Sequence, residues 1–184
     1  MSYPGQRVQV DVKVVPLACI VPNADGLRER YYQYTAIDEY SRFRYVAAFQ
    51  EQNTYSSAQF LDMLVKAFPF RIECIQTDNG LEFIKEFKER EKGKVSLFEA
   101  RLKQLGIRHK LIKPYTPRHN GKVERSHRKD NEYFYASHKF YSFEDFAAQL
   151  AVHNRKYNAF PMRPLNWHSP KDYITHFLKD GLLH

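Results

Sequence analysis

Cysteine is scarce in this chain, and long apolar runs are absent. Cys19 and Cys74 are the only cysteines among 184 residues, and both stand in apolar, strand-like stretches, which excludes a disulfide framework and favours buried free thiols. The histidines are scattered and no Cys-x-x-Cys pair occurs, so a structural zinc site is not supported. No run reaches the length of a membrane span, and the N-terminus lacks a secretory signal pattern. We therefore expect a cytoplasmic protein with no zinc and no membrane contact.

The length of 184 residues fits one domain with a substantial core. We expect a single unit over residues 1–184 that is flexible at 1–6 and at 180–184. The net charge of +8 is uneven, because the segment 108–129 holds eight Lys or Arg residues and one acid, Glu124. A basic run is by itself most often a solvated face, so it indicates a nucleic-acid partner only when a site accompanies it.

The hydrophobic pattern indicates an α/β fold. Alternation of apolar and polar residues predicts five strands, over 7–14, 31–37, 44–49, 72–78 and 107–112. Helical spacing predicts helices over 53–68, 96–105, 121–137 and 143–157, with another beginning near Leu81. A strand, a crossover helix and a second strand imply parallel pairing. The order of elements therefore predicts a five-stranded mixed sheet with helices on both faces.

Three carboxylates stand where each could bind a metal ion. Asp11 alternates with the valines of the first strand, so its side chain lies on the face opposite theirs. Asp78 ends the fourth strand, and Asn79-Gly80 follows it as a chain-reversal signal; a carboxylate at such a strand end opens into a crevice. Glu124 falls in the first turns of a helix that follows a Pro- and Gly-containing loop. Each acid alone is a weak indication, because exposed carboxylates are common.

The residues that flank the acids are more specific. Thr77 to Phe83 and Pro117 to Arg125 resemble the catalytic core of the DDE transposases and retroviral-type integrases, and bacterial insertion-sequence transposases are the nearest match. Further pieces that agree in order are Asp11-Val12-Lys13, Tyr34 to Arg42, Tyr157-Asn158, Arg163-Pro164 and Ser169-Pro170, so the resemblance spans about residues 7–175. The chain departs from the family's pattern in a charged run over 85–94, where we expect an inserted surface excursion, and in the extra residues 159–162.

The resemblance implies an RNase H-like fold and a DNA transposase or integrase activity, with metal-dependent cleavage at transposon ends followed by strand transfer into target DNA. Asp11, Asp78 and Glu124 would be the catalytic acids and would hold two Mg²⁺ or Mn²⁺ ions, hard cations that prefer oxygen ligands. The implied partners are DNA, as transposon ends and target duplex, and further copies of the chain in a synaptic complex. The implied location is the cytoplasm, in association with the nucleoid.

Basic and polar residues around Glu124 are the expected DNA contacts. The positions four and seven residues after Glu124 share its helix face, which places Arg128 and Asn131 beside the acids. The full set of expected contacts is Arg118, Lys122, Arg125, Arg128 and Asn131. All of these lie in or next to the basic segment, where a phosphodiester would have to lie.

Other groups near the acids are given lesser roles. His127 is expected to pack beside the site rather than act as a general base. Asp38 and Glu82 are rival metal ligands, for which we expect roles on the surface instead. Asn79 and Asn120 are expected to shape the loops that orient the acids.

Two alternative functions remain open from the sequence. One is an RNase H-like nuclease without strand transfer; such enzymes place a fourth carboxylate from the first helix into the site, and the one candidate there, Asp62, is expected to point away from the core. The other is a domesticated, non-catalytic DNA-binding module. Retention of all three acids argues against that reading.

Overall fold

A computed structural model describes residues 1–84, 95–112 and 120–181 of the chain. The strands are β1 (Val8–Val14), β2 (Tyr32–Asp38), β3 (Arg44–Phe49), β4 (Cys74–Thr77) and β5 (Arg108–Leu111). The helices are α1 (Thr54–Ala67), α2 (Leu97–Gln104), α3 (Gly121–Asp130), α4 (Phe143–Ala159) and α5 (Pro170–Gly181). The predicted surface excursion over 85–94, the predicted DNA contact Arg118, and residues 182–184 of the predicted flexible tail lie outside the described residues.

The strands form one mixed sheet in the order β3-β2-β1-β4-β5. The strand β1 pairs antiparallel with β2, and β2 pairs antiparallel with β3. The strand β4 pairs parallel with β1, and β5 pairs parallel with β4. Parallel neighbours need a crossover connection, and α2 lies between β4 and β5 in the chain. The predicted five-stranded mixed sheet is confirmed.

Helices cover both faces of the sheet, as predicted. On one face Val8 and Val10 of β1 join a core with α1 and α2, to which Phe60 and Phe98 contribute buried rings. On the other face α3 packs on β1 and β2, and α4 packs on β3. Since successive strand residues point to opposite faces, the polar residues that alternate with the β1 valines lie on the α3 face. No helix in the described ranges is both long enough and apolar enough to cross a bilayer.

Side-chain caps explain where the first two helices begin. The Asn53 side chain accepts a hydrogen bond from the Ser56 N–H at 2.8 Å, so α1 begins where the sequence predicted. Ser96 and Glu99 form a reciprocal capping box at the start of α2. Each such cap contributes about 1 kcal/mol to helix stability.

The helix α5 is missing from the predicted elements. Its start carries a capping signature, because the Ser169 hydroxyl accepts the Asp172 N–H at 3.1 Å and Pro170 occupies the first helical position. The packing of α5 is tertiary, with the Tyr173 ring 5.6 Å from the Tyr40 ring and Ile174 buried. The start of this helix was therefore predictable from the sequence, but the surface on which the helix packs was not.

One further prediction needs correction. Leu81 to Ile84 form a turn in which the Ile84 N–H donates to the Gly80 carbonyl oxygen at 3.1 Å, so the predicted helix does not begin at Leu81. Within the segment 1–6, the Gly5 carbonyl oxygen accepts the Glu73 N–H at 2.9 Å. The flexibility of this segment stays a prediction. The backbone of Gly5 is left-handed (φ +83°), and a side chain there would collide with the Arg71 carbonyl oxygen, in the connection that leads into β4.

A buried arginine links the helices of the second face to the sheet. Arg44, at the start of β3, donates from Nη1 to the Asp130 carboxylate at 2.7 Å and to the Ser126 hydroxyl at 2.8 Å, both on α3. It also donates from Nε to the Asn154 side-chain oxygen of α4 at 3.2 Å, and its guanidinium lies 4.0 Å from the Tyr157 ring centroid. One side chain thus fixes α3 and α4 against the edge of the sheet.

Asp130 is held by more than the arginine. Its carboxylate also accepts a hydrogen bond from Gln33 Nε2 at 2.8 Å and lies 2.8 Å from His153 Nε2. Burial alone would raise the pKa of Asp130, but the His153 contact and the charge of Arg44 hold that pKa well below its usual range. The folded state therefore favours the ionised carboxylate, and this stabilisation is lost as pH falls below the range where a free aspartate titrates.

Replacing Asp130 by Asn is expected to lower the free energy of unfolding at pH 7 by about 3–5 kcal/mol, because the buried Arg44 charge loses its partner. Asp62→Asn is the matched control: Asp62 pairs with Arg101 at 2.7 Å, but 42% and 39% of the two side chains are exposed. An exposed pair contributes about 0–1 kcal/mol. Urea unfolding of both variants measures the two losses in free energy. Equally small losses would show that the buried pair stabilises the protein no more than the exposed pair does.

Candidate active site

Asp11 and Asp78 lie on neighbouring parallel strands. The register pairs Val8 with Ile75 and Gln9 with Gln76, and its continuation by two residues sets Asp78 beside Asp11. The Asp78 side chain opens to solvent and accepts the Gly80 N–H at 3.0 Å.

The Asp11 carboxylate is close enough to Asp78 to affect the ionisation of Asp78. Partial burial, together with the negative charges of Asp11 and Glu82, raises the pKa of Asp78, although the Gly80 hydrogen bond opposes the rise. Carboxylates that repel one another are expected at a site that a cation completes. The structure therefore brings together two of the three predicted acids.

The helix α3 runs along β1 and contacts it at three levels. The contacts join Gln9 to Lys122 and Val123, Asp11 to His127, and Lys13 to Asn131. From Gln9 to Lys13 the strand rises about 13 Å, at about 3.3 Å per residue. From Lys122 to Asn131 the helix also rises about 13 Å, at about 1.5 Å per residue. The two total rises are about equal, so Gln9, Asp11 and Lys13 each meet a different turn along the helix.

The first turn of α3 is capped by a strand residue. Asn120 stands at the N-cap position but makes no side-chain cap bond. Instead, Gln9 Oε1 accepts the N–H groups of Lys122 at 3.1 Å and of Val123 at 3.2 Å, which have no partners within the helix. Gln9 precedes Asp11 by two residues, so this cap also sets the position of the first turn of α3 relative to Asp11.

Glu39 holds the cap in place. Its carboxylate accepts hydrogen bonds from Gln9 Nε2 at 2.8 Å and from Arg7 at 2.6 and 2.8 Å, and Lys122 Nζ lies 3.3 Å from it. Burial alone would raise the pKa of Glu39, but the bonds from Arg7 and Gln9 and the charge of Lys122 lower it to about 2. Lys122, a predicted DNA contact, is thus half-buried and bound to Glu39, and burial lowers its pKa.

Glu124 lies in the first turn of α3, as predicted, and is exposed. It precedes His127, the helix residue that contacts Asp11, by one turn. Within the described ranges no three His, Cys, Asp or Glu side chains converge closely enough to hold a metal ion. The structure therefore pairs Asp11 with Asp78 and does not bring Glu124 into one cluster with them.

His127 connects Asp11 to the neighbouring strand. Its Nδ1 lies 3.3 Å from the Asp11 carboxylate, and its Nε2 lies 3.1 Å from the Thr35 hydroxyl. Asp11 and Thr35 are paired across β1 and β2, so the imidazole spans a cross-strand pair. The ring packs beside the predicted site and limits the orientations that the Asp11 side chain can adopt.

Asp38 and Glu82 are buried, so the predicted surface roles are wrong. Asp38 is 0% exposed and accepts the Ser41 N–H at 2.7 Å and the Ser41 hydroxyl at 2.6 Å; burial nevertheless raises its pKa. Glu82 is 8% exposed and accepts Gln52 Nε2 at 2.7 Å. Its carboxylate lies over Gly80, within 2.6 Å of where a side chain would begin. Asp38 shapes the β2–β3 turn, and Glu82 braces the turn after Asp78.

The remaining predicted groups take structural positions. Asn79 Nδ2 donates to the Ile112 carbonyl oxygen at 3.2 Å, which ties the turn after Asp78 to the end of β5, as the predicted loop-shaping role requires. Asp62 pairs with Arg101 of α2. Its carboxylate therefore faces a neighbouring helix and not the Asp11–Asp78 pair.

Lys13 is a residue beside the site that the sequence reading left without a role. Its Nζ contacts the His127 carbonyl oxygen at 3.3 Å and the Asn131 side chain. The alternation that places Asp11 on the α3 face places Lys13 there as well, so the signal was present in the sequence. Of the predicted DNA contacts, Arg125 and Arg128 are exposed on α3, and Asn131 is exposed directly after it.

Glu39→Gln is expected to lower the free energy of unfolding at pH 7 by about 3 kcal/mol, the equivalent of the pKa shift from 4.5 to about 2 of a carboxylate that is 5% exposed. Because the folded-state pKa is depressed, this stabilisation is present above pH 4.5 and is lost as pH falls towards 2. Urea unfolding of both proteins at neutral and at acidic pH measures the effect. A loss of stability that is the same at both pH values would exclude the negative charge of Glu39 as its source.

Sequence comparison matches residues 2–117 to the family described as "Integrase core domain" and residues 105–170 to a second family pattern of the same description. The candidate integrase ORF3 of Spiroplasma virus SpV1-C74 is 27% identical over 178 residues, which cover 91% of this chain and 47% of that protein. The chain thus spans about half the length of this curated relative.

Solved structures of viral integrases have a similar fold. The catalytic core domain of BIV integrase aligns with a TM-score of 0.62 and 18% identity over 96% of this chain and 98% of its own. The HTLV-2 integrase catalytic core domain in complex with magnesium, in a trimeric form, aligns with a TM-score of 0.65 and 15% identity. The alignment covers 94% of this chain and 97% of that one. A chain of the simian T-cell lymphotropic virus intasome in complex with PP2A regulatory subunit B56 gamma aligns with a TM-score of 0.61 and 19% identity. The alignment covers 84% of this chain and 49% of that one. The fold is RNase H-like, as predicted.

Proposed function

Because the chain belongs to the integrase core domain family, we propose that it is the catalytic core of a DNA transposase or integrase, a DDE-type polynucleotidyl transferase. It cleaves DNA at the ends of a mobile element and joins the freed strand to a target duplex. The observation that carries the proposal is the side-by-side position of Asp11, within β1, and Asp78, directly after the parallel strand β4. Further copies of the chain complete the synaptic complex, which works at the nucleoid.

The donor set fits hard divalent cations. Asp11 and Asp78 offer carboxylate oxygens from adjacent strands, and the repulsion that raises the pKa of Asp78 is what a bound cation relieves. Glu124 offers the third carboxylate from the first turn of α3. When bound, two Mg²⁺ or Mn²⁺ ions supply Lewis-acid stabilisation of the charge on the attacking and leaving oxygens.

The surrounding residues orient the acids. His127, which Thr35 holds, restricts the Asp11 carboxylate, while the Gln9 cap fixes the end of α3 that carries Glu124. Such preorganisation lowers the cost of assembling the reactive geometry after DNA binds. The chain's own contribution is therefore chiefly the orientation of Asp11 beside Asp78 and the fixed position of the α3 turn that carries Glu124.

Each of the substitutions Asp11→Asn, Asp78→Asn and Glu124→Gln is expected to abolish metal-dependent cleavage and joining while the fold stays intact, because each removes one ligand and almost no volume. The assay uses a labelled DNA duplex with Mn²⁺ and scores cleaved and joined products separately. Asp62→Asn, on α1, is the control and should keep full activity. Full activity in any of the three variants removes that residue from the site.

Metal binding tests the Asp78→Asn substitution in a second way, which needs no DNA. Mn²⁺ should raise the melting temperature of the unmodified protein, because it binds only the folded state. Asp78→Asn should respond much less, and with chelator it should be at least as stable as the unmodified protein, since the repulsion on Asp78 is gone. A metal-induced shift equal in both proteins would show that Asp78 binds no metal.

The same assay distinguishes the alternative functions. Cleavage without joining would indicate an RNase H-like nuclease, and DNA binding with neither product would indicate a non-catalytic DNA-binding module. The fourth carboxylate that such nucleases take from the first helix has one candidate here, Asp62, and its ion pair with Arg101 directs it elsewhere. The transposase or integrase is therefore the better-supported function.

We propose that the DNA backbone lies along the exposed side of α3 and the residue that follows it, against Arg125, Arg128 and Asn131. Lys122 contributes less direct contact, because its ammonium is bound to Glu39.

Arg128→Ala is expected to weaken binding to unrelated duplexes equally and to reduce the slope of log K against log salt by about 1, as for one lost phosphate contact. Fluorescence anisotropy over a salt series measures both quantities. Lys156→Ala is the control, because Lys156 is an exposed cation of a different helix, α4. A loss of affinity that depends on the DNA sequence would mean that Arg128 contacts bases.

A further inference from the structure

Lys13 lies two residues beyond Asp11 on β1, on the face that α3 covers. Its side chain is half-buried, although lysines are mostly exposed. At about 3.3 Å per residue, the strand carries Lys13 about 7 Å past Asp11. The ammonium therefore lies beside the Asp11–Asp78 pair and not within it.

The contacts of Lys13 in the described structure are with neutral groups. The ammonium donates to the His127 carbonyl oxygen at 3.3 Å and to the Asn131 side-chain oxygen, and it lies 4.9 Å from the centroid of the Tyr135 ring. These groups orient the charge and partly remove it from water. None of them neutralises it.

The ion pairs found in the described part of the chain do not include Lys13. Asp130 is the nearby acid, but its carboxylate is engaged by Arg44, Gln33 and His153. A partly buried charge without a counter-ion lowers stability, and an added anion restores the balance. The site thus contains an oriented cation whose counter-charge the described residues do not supply.

We propose that Lys13 binds a phosphate of the DNA strand held at Asp11 and Asp78, the phosphate that adjoins the reacting phosphodiester. The identity of the bound strand rests on the proposed function, but binding of a phosphate by Lys13 requires neither metal nor catalysis. Asn131 then has a second role, because it orients the ammonium of Lys13 as well as lying on the DNA side of α3.

A π-helical turn, Asn131–Tyr135, prepares this contact before DNA arrives. Within it the Tyr135 hydroxyl donates to Gln33 Oε1, which fixes the ring beside Lys13. Gln33 is the residue paired with Lys13 across β1 and β2. A donor that is already ordered loses little side-chain entropy on binding, which favours affinity.

Anisotropy of a labelled DNA duplex in EDTA measures phosphate binding with no metal and no reaction. Lys13→Gln is expected to weaken binding about tenfold at low salt and to reduce the salt slope by about 1. Lys13→Arg keeps the charge and should retain the slope. Lys66→Gln is the matched control, because Lys66 is an exposed cation at the end of α1, on the opposite face of the sheet, and its loss should change neither quantity.

Thermal melting separates ligand binding from a purely structural role. If Lys13 only held α3 on β1, Lys13→Gln would lower the melting temperature and weaken DNA binding only as far as it unfolds the protein. The proposal requires an unchanged or higher melting temperature, with the DNA loss present where both proteins are folded. Unchanged affinity and slope in a folded Lys13→Gln variant, or an unmodified protein that does not bind the duplex, overturns it.

The two proposals can fail separately. If metal-dependent cleavage and joining are absent while Lys13→Gln still loses affinity in EDTA, the proposed reaction is wrong and the phosphate site stands. If the reaction is present while Lys13→Gln binds and melts as the unmodified protein does, the reaction stands and the phosphate site is wrong.

Discussion

The buried ion pair between Arg44 and Asp130 fixes the place of α3, and the geometry of the candidate site depends on that place. The two side chains are 0% and 1% exposed, so either one left alone would be a buried, uncompensated charge. Arg44 begins β3 and Asp130 ends α3, so the pair joins the edge of the sheet to the helix that carries Glu124. His153 extends the same contact to α4, which means that both helices keep one position relative to the strands.

Within this arrangement, β1 presents a polar stripe to α3. Gln9 caps the helix, Asp11 belongs to the carboxylate pair, and Lys13 carries a positive charge, so three different kinds of chemistry follow one another at every second residue. The equal rise of strand and helix keeps all three in contact with successive turns. A shift of either element by one residue would break the three contacts together, which is why site and fold specify each other here.

Local patterns predicted the parts of the site that local chemistry determines. Asp78 at a strand end and Glu124 at a helix start were predictable because the strand alternation and the turn signals lie within a few residues of each acid. The burial of Asp38 was not, because it depends on contact with Gly5, 33 residues away. The contact between Gln9 and Lys122, which sets α3 against β1, joins residues 113 apart. Secondary-structure propensity and hydrophobic periodicity are local properties, so they do not predict contacts between residues so far apart in the sequence.

The π-helical turn after α3 changes the phase of the helix. An α-helix advances about 100° per residue, so one extra residue accommodated in a turn rotates all that follows by about that angle relative to an uninterrupted helix. Phe134 and Tyr135, which are adjacent in the chain, are both buried at this point. The number of residues between Glu124 and Tyr135 is therefore a structural constraint in itself: deleting one would leave the chemistry of every side chain intact and still turn the Tyr135 ring away from Lys13.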